Sequence, residues 1–416
     1  MKKRFLAGML SLVLCVSIAL TGCGSNDSDK QASEENGVKT IKVWAMGEEG
    51  KLLPQMVEKF EANNPNIDVE VQALPWGQAH DKLLTAVASG NGPDIIQMGT
   101  SWIPEFADAG ILKDLSEFTK DYPNISPDRY YVSSLATTEY DDKYVAVPWY
   151  VDTRVLYYRN DILSESGYPQ GPSTWDELYD ASKKLSARGE DKYGLSLDIR
   201  DQFFAVTFGW QNGSEIIKNG KSQFSEPEFV EAINYLKKFY DEKLTMMYGD
   251  VDIVQTFKDG TEPMFISGPW MVNVLNDAAP EISGKWSIRT LPAKKSNMSF
   301  VGGSNWTIFH NSKNVPEALK FIDYMSDTKT QIEWMKVSKA LPARADAWVD
   351  PVIANDDYVS VFGEQLKNAK PSPFIVEWEE IAQELSASFE RIIAENADVN
   401  AEMKKLDEKA KKVLEK

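Results

Sequence analysis

The chain has 416 residues, 43% of them hydrophobic, with 63 acidic residues against 45 basic ones and a net charge of −18. An acidic surface of this kind repels nucleic acid and anionic headgroups and disfavours a polyanionic ligand. The two histidines, His80 and His310, stand far apart, which argues against a His-based catalytic triad, and a His/Cys metal site would need both of them and both Cys15 and Cys23, which the N-terminal reading below removes.

The chain opens on Met1-Lys2-Lys3-Arg4, followed by an apolar run from Phe5 to Leu20. That run suits the core of a signal peptide better than a membrane span, which needs about 20 residues. Leu20-Thr21-Gly22-Cys23 comes next and resembles the bacterial lipobox. The resemblance implies a signal peptide at 1–22, cleavage before Cys23 and lipidation (palmitate) of its thiol. Cys15 would be discarded, so no disulfide could form. Loss of Lys2, Lys3 and Arg4 would take the net charge from −18 to −21. Two acyl chains anchor firmly where one alone binds marginally. Residues 23–39 combine the lipidated Cys with a small, polar stretch, Gly24 to Gly37, that reads as a flexible tether. No later segment approaches a second span. The remaining length exceeds what one core usually serves, so two domains are expected.

Ile41 to Ala45 alternates like a strand, and a helix follows with Leu52, Leu53, Met56, Val57 and Phe60 at helical spacing, stopped by Asn63-Asn64-Pro65. Ile67 to Val71 is a second strand, Leu83, Leu84 and Val87 mark a second helix, and Pro93 to Met98 is a third strand. Strand, helix, strand, helix, strand with short links is an α/β unit on a parallel sheet. Tyr144–Pro148 and Arg154–Tyr158 are strand-like, with Trp149 to Thr153 between them beside a candidate hinge. Helices are expected at 174–188, where Ser173-Thr174-Trp175-Asp176-Glu177 starts like a capping box, and at 227–240. The chain is extended again near Ile288 and over Val301 to Phe309, and its last third is mostly helical.

Seven short motifs stand in order. Lys42-Val43-Trp44 follows the lipobox, then Phe60-Glu61-Ala62-Asn63-Asn64-Pro65, then Gly92-Pro93-Asp94-Ile95-Ile96. Val147-Pro148-Trp149-Tyr150 precedes Leu156-Tyr157-Tyr158-Arg159-Asn160-Asp161, and Gly268-Pro269-Trp270 and Leu341-Pro342-Ala343-Arg344 complete the series. From about residue 40 to the end this pattern resembles the family-1 extracellular solute-binding proteins, the sugar-binding lipoproteins of ABC importers related to maltose-binding protein. The resemblance implies an α/β fold of two lobes, each a mainly parallel sheet flanked by helices, joined by a hinge that the chain crosses more than once. One lobe would hold 40–149 plus 302–332 and the other 150–301 plus 333–416. It also implies a carbohydrate ligand gripped between the lobes, ABC permease transmembrane subunits with a cytoplasmic ATPase as partners, a monomer, and no cofactor. The location implied is the outer face of a cell membrane, reached only through the lipid, in a Gram-positive bacterium.

Ligands of open α/β sheets bind beyond the C-terminal ends of strands, and the loops there carry many of the tryptophans. A pyranose offers an apolar C–H face on which an indole stacks and a hydroxyl edge for carboxylates, amides and Arg. Candidate platforms are Trp76, Trp102, Trp149, Trp210, Trp270, Trp306 and Trp378, with Trp270 matching a sugar-stacking position of the family. Trp102, Trp210 and Trp306 fit a core position equally well. Candidate edge partners are Glu48, Asp152, Gln211, Asn212, Ser304, Asn305 and Arg344, and Gly302 and Gly303 would let backbone approach the ligand. Asp152 could instead form a hinge ion pair, and Arg344 could anchor its own loop. Trp44, Trp175, Trp286 and Trp334 are expected in the core. No phosphate loop or dinucleotide fingerprint is present, and the chain is expected not to be an enzyme. The alternatives are a sugar-sensing lipoprotein for a signalling receptor and a tethered glycoside hydrolase using a carboxylate pair.

Overall fold

A computed structural model describes residues 37–198, 201–247 and 252–415; Cys23, the signal peptide and most of the tether lie outside them. β1 (Lys39–Met46) buries alternate residues Ile41, Val43 and Ala45, as its pattern requires. The single helix expected next is two, α1 (Gly47–Leu52) and α2 (Pro54–Asn63). Pro54 has no N–H to continue the first and sits at the start of the second, where none is needed. β2 (Ile67–Leu74), α3 (Trp76–Ser89, ended by the left-handed Gly90) and β3 (Ile95–Gly99) complete the unit, with β1 parallel to both strands. Asp94 of the Gly-Pro-Asp motif is structural: it accepts from the Lys42 N–H at 2.9 Å and the Ser312 hydroxyl at 2.5 Å.

Beyond the helix α4 (Ile103–Asp108), the stretch expected to link two strands is itself β4 (Val147–Thr153), buried at every residue, with only Arg154 separating it from β5 (Val155–Tyr158). Cover on both faces of the sheet removes the alternation that would have marked it. The second lobe adds α5 (Trp175–Ser186), α6 (Gln202–Gln211), α7 (Pro227–Asp241), β6 (Met264–Ser267), α8 (Met271–Ala278) and β7 (Ser287–Arg289). The expected capping box starts α5: Thr174 accepts from Glu177 N–H, and Glu177 accepts from Ser173 N–H at 2.7 Å. The chain returns through β8 (Ser299–Ile308) to α9 (Val315–Met325), α10 (Thr328–Ser338) and β9 (Leu341–Pro342). It crosses again by way of α11 (Asp357–Leu366) and β10 (Ala369–Lys370) before α12 (Trp378–Ala394) and α13 (Val399–Leu414).

The larger sheet has the order β9-β4-β8-β3-β1-β2, with β10 beside β8. Its strand sense is mixed where a mainly parallel sheet was expected. β8 runs antiparallel to β3 and β4, and the smaller sheet β6-β5-β7 is antiparallel throughout. A parallel neighbour needs a long crossover, whereas β4 leaves the first lobe and β8 comes back alongside it. β4, β8 and β10 thus pass the junction side by side. Residues 333–342, expected in the second lobe, pack on the first. β9 pairs with Tyr150 and Val151, and Trp334 stacks on Trp149 at 4.9 Å. Helical sequence carries no mark of which lobe it covers. The core of the second lobe gathers α5, α6, α7, α12 and α13, with Trp175, Phe208, Phe229 and Trp378 almost fully buried.

Candidate functional site

Between the lobes lies a cleft of about 940 Å³, near the top of the ~300–1,000 Å³ usual for ligand sites. The first lobe contributes the C-terminal ends of β1, β2 and β3: Glu48 and Glu49, Trp76, and the turn Thr100-Ser101-Trp102. Tyr150, Asp152, Phe300, Gly302 and Gly303 of β4 and β8 line the floor. Across from them stand Asp201, Gln202 and Phe203 at the start of α6, Trp270 before α8, and one face of α12.

The local backbone explains the placement. Gly47 has φ +62°, and a Cβ there would sit 2.6 Å from the Trp76 indole nitrogen, so only glycine lets the turn after β1 and this indole meet. Gly303 has φ +131°, with Tyr150 carbonyl oxygen 2.2 Å from the position of its missing Cβ, beside an irregularity in the β4–β8 register. Trp76 and Trp102 meet edge to face at 5.4 Å, and Phe203 stacks on Phe300 at 4.0 Å. Trp76 is 36% exposed, so part of its indole stays open in the cleft. Beneath the floor, the buried Gln97 accepts from Met46 N–H at 2.7 Å and donates to the Tyr150 hydroxyl at 3.1 Å and to Ser304 at 3.2 Å, tying β1, β3, β4 and β8 into one frame.

Charge is concentrated here. Glu49 is 5% exposed, and burial, with Asp152 and Glu48 adding repulsion, pushes its carboxyl up to about 7. Burial also raises Asp152 and Asp201, opposed by Arg154. Arg154 donates to Asp152 at 3.3 Å and lies 4.5 Å over the Trp270 ring. Glu379 is raised by burial too, opposed by Ser101, His80 and Trp102 of the opposite lobe.

Of the residues singled out from sequence, Glu48, Trp76, Trp102, Asp152, Trp270, Gly302 and Gly303 meet in this cleft. The others do not. Trp149 is buried in the first lobe, stacked on Trp306 at 4.0 Å and on Trp334. Trp378 is buried under α12, and Trp210 is 5% exposed in the second core. Gln211 accepts from Trp175 at 2.6 Å, Asn212 donates to Glu228 and Glu231, and Asn305 donates to Thr137. Arg344 anchors its own loop, paired with Asp346 at 2.6 Å and donating to Ser326 and Thr328. The amide donors of Asn212 and Asn305, the acceptor of Gln211 and the guanidinium of Arg344 are thus taken up by the fold. Of the expected core tryptophans, Trp175, Trp286 and Trp334 are buried, while Trp44 is half-buried under Lys82.

Sequence reasoning missed Glu49, Arg154, Phe203, Phe300 and the α12 face. That face could have been found: Glu379, Gln383, Ser386 and Glu390 recur at helical spacing with Ala382 and Ala387 beside them, a polar, small-residue stripe. Phe203 and Phe300 carry no such mark. Among the described residues there is no group of His, Cys, Asp and Glu placed to hold a metal ion, and no helix is long and apolar enough to cross a membrane.

The model of the bacterial extracellular solute-binding protein family matches residues 44–332. A binding protein of Brucella abortus is 28% identical over 378 residues, 88% of this chain and 90% of that protein. The galactooligosaccharide-binding protein of Bacillus subtilis is 26% identical over 427 residues, 99% of this chain and 98% of that one. Among solved structures, the sugar-binding protein MalE of Xanthomonas citri is 31% identical with a TM-score of 0.78, covering 91% of this chain and 98% of its own. A two-lobed α/β fold, a cleft built from both lobes and these matches together place the chain in the family of bacterial extracellular solute-binding proteins.

Proposed function

We propose that this protein is the lipid-anchored, carbohydrate-binding subunit of an ABC importer. The observation that carries the reading is the pairing of aromatic faces with carboxylates in one interlobe cleft: Trp76, Trp102 and Trp270 beside Glu48, Glu49 and Asp152. Indoles suit the C–H faces of a pyranose, and carboxylates suit its hydroxyl edge. The cleft volume of about 940 Å³ suits an oligosaccharide better than a single hexose. The names of relatives support the same ligand class, including the galactooligosaccharide-binding protein and a maltooligosaccharide ABC transporter lipoprotein of Streptococcus pneumoniae. Ligand touching both lobes stabilises the closed state by its differential affinity for it, and the closed form delivers the sugar to the permease. Lipid on Cys23 keeps the body near that permease on the outer face of the membrane.

Tryptophan fluorescence against a panel of mono- and oligosaccharides tests the ligand class. A carbohydrate should change the emission of Trp76, Trp102 and Trp270; response to an amino acid and to no sugar would reject the assignment. Sugar recovered unchanged, with no new reducing ends, separates binding from hydrolysis. Cys23→Ala should release the protein from membranes with sugar affinity intact, and continued membrane association would reject the anchor.

A further inference from the structure

The charges of the cleft are one-sided. Glu48, Glu49, Asp152, Asp201, Glu379 and Glu390 line it, and Arg154 is the sole cation among its described lining residues. That guanidinium is already engaged. Its Nη1 is 3.3 Å from Asp152, its plane covers the Trp270 ring at 4.5 Å, Asp201 attracts it as well, and the side chain is 17% exposed. Lys51 pairs with Glu48 but does not line the cleft. The N-terminus of α6, a further potential seat for an anion, is filled by Asp201, which accepts from Phe203 N–H at 2.9 Å. Glu49 is different from its neighbours. It is almost wholly buried in the cleft wall, with Asp152 and Glu48 close enough to add repulsion to its carboxyl.

We propose that the cleft selects carbohydrate by charge, admitting neutral and amino sugars and refusing uronic acids and sugar phosphates, with Glu49 setting the discrimination. The inference rests on the sugar-binding reading above. Hydroxyl and ammonium groups donate to a carboxylate, whereas a ligand carboxylate or phosphate brings a further negative charge and no donor. Water excluded from the closed cleft would strengthen that repulsion. Arg154 cannot answer it without leaving Asp152 and Asp201 unpaired.

The test is calorimetric titration of the full-length protein with two matched sets of trisaccharides, one of glucose, glucosamine and glucuronate, the other of galactose, galactosamine and galacturonate. In whichever set binds, the neutral and amino members should bind at least tenfold more tightly than the uronate at pH 7.5 and 20 mM salt. In Glu49→Gln the gap should fall below threefold. On the unaltered protein, 500 mM salt should also narrow it, which keeps the inference testable if the variant loses its fold. A uronate bound within threefold of its neutral counterpart, or a gap unchanged in a folded Glu49→Gln protein, would overturn the charge selection and leave sugar binding standing. Failure of every saccharide to bind would remove the sugar-binding reading and this inference with it.

Discussion

Residue identity separates the tryptophans less than their neighbours do. Trp270 stands at the cleft with Arg154 over its ring, while Trp149 lies between Trp306 and Trp334 with no exposed surface. Trp270→Ala should weaken sugar binding by ~1–3 kcal/mol, the range for planar ligands on aromatic side chains, with little change in melting temperature. Trp149→Ala should do the reverse, costing ~3–5 kcal/mol of stability through the cavity it leaves, as read by urea unfolding. Glu49 yields a pH dependence. Its folded carboxyl titrates at about 7 against an ordinary 4.5, so the native state keeps a proton that the unfolded chain gives up. Its contribution to stability is therefore present at acid pH and is lost as pH rises from about 4.5 to 7. The unfolding free energy of Glu49→Gln relative to the parent should rise by up to ~3 kcal/mol across that window; a difference independent of pH would show that Glu49 ionises normally. These two cases also mark how far residue type can be read. A Trp or Glu in a strand-end loop has two destinations, cleft or core, and packing alone decides between them.

At the scale of elements, β4 and β8 do most to shape the site. β4 is continuous through the segment expected as a link, and β8 bends beside it where Gly303 lies with φ +131°. α12 closes the opposite wall with Glu379, Gln383, Ser386 and Glu390, while Trp378, Ile381, Leu385 and Phe389 are buried behind it. A bulky substitution on the cleft stripe should block ligand without disturbing that core. Ser386→Trp is expected to lower sugar affinity at least tenfold, about 1.4 kcal/mol, with an unchanged denaturant midpoint. Unaltered affinity would mean that ligand does not reach α12. Most helices and strands were legible from periodicity and caps: β1, α5 and α7 occupy nearly the expected ranges. β4 was not, because a strand covered on both faces has buried side chains at every position and loses its period of two.

The whole molecule is organised by the junction that β4, β8 and β10 cross together. Three adjacent strands crossing at one place permit bending there. Sugar binding should therefore reduce the radius of gyration in small-angle scattering, and an unchanged radius at saturating ligand would argue against closure. The order of motifs along the chain, from Lys42-Val43-Trp44 to Leu341-Pro342-Ala343-Arg344, points to this architecture, and the family match over 44–332 agrees. Linear sequence by itself determined the α/β class, the two lobes, the family and the acidic character, because periodicity, composition and motif order are properties of the chain read along its length. Tertiary structure alone decided which lobe residues 333–342 cover, the mixed strand sense, and which tryptophans and carboxylates face the cleft. Those depend on which buried polar atoms find partners and which aromatic faces find neighbours, and residues hundreds of positions apart settle both.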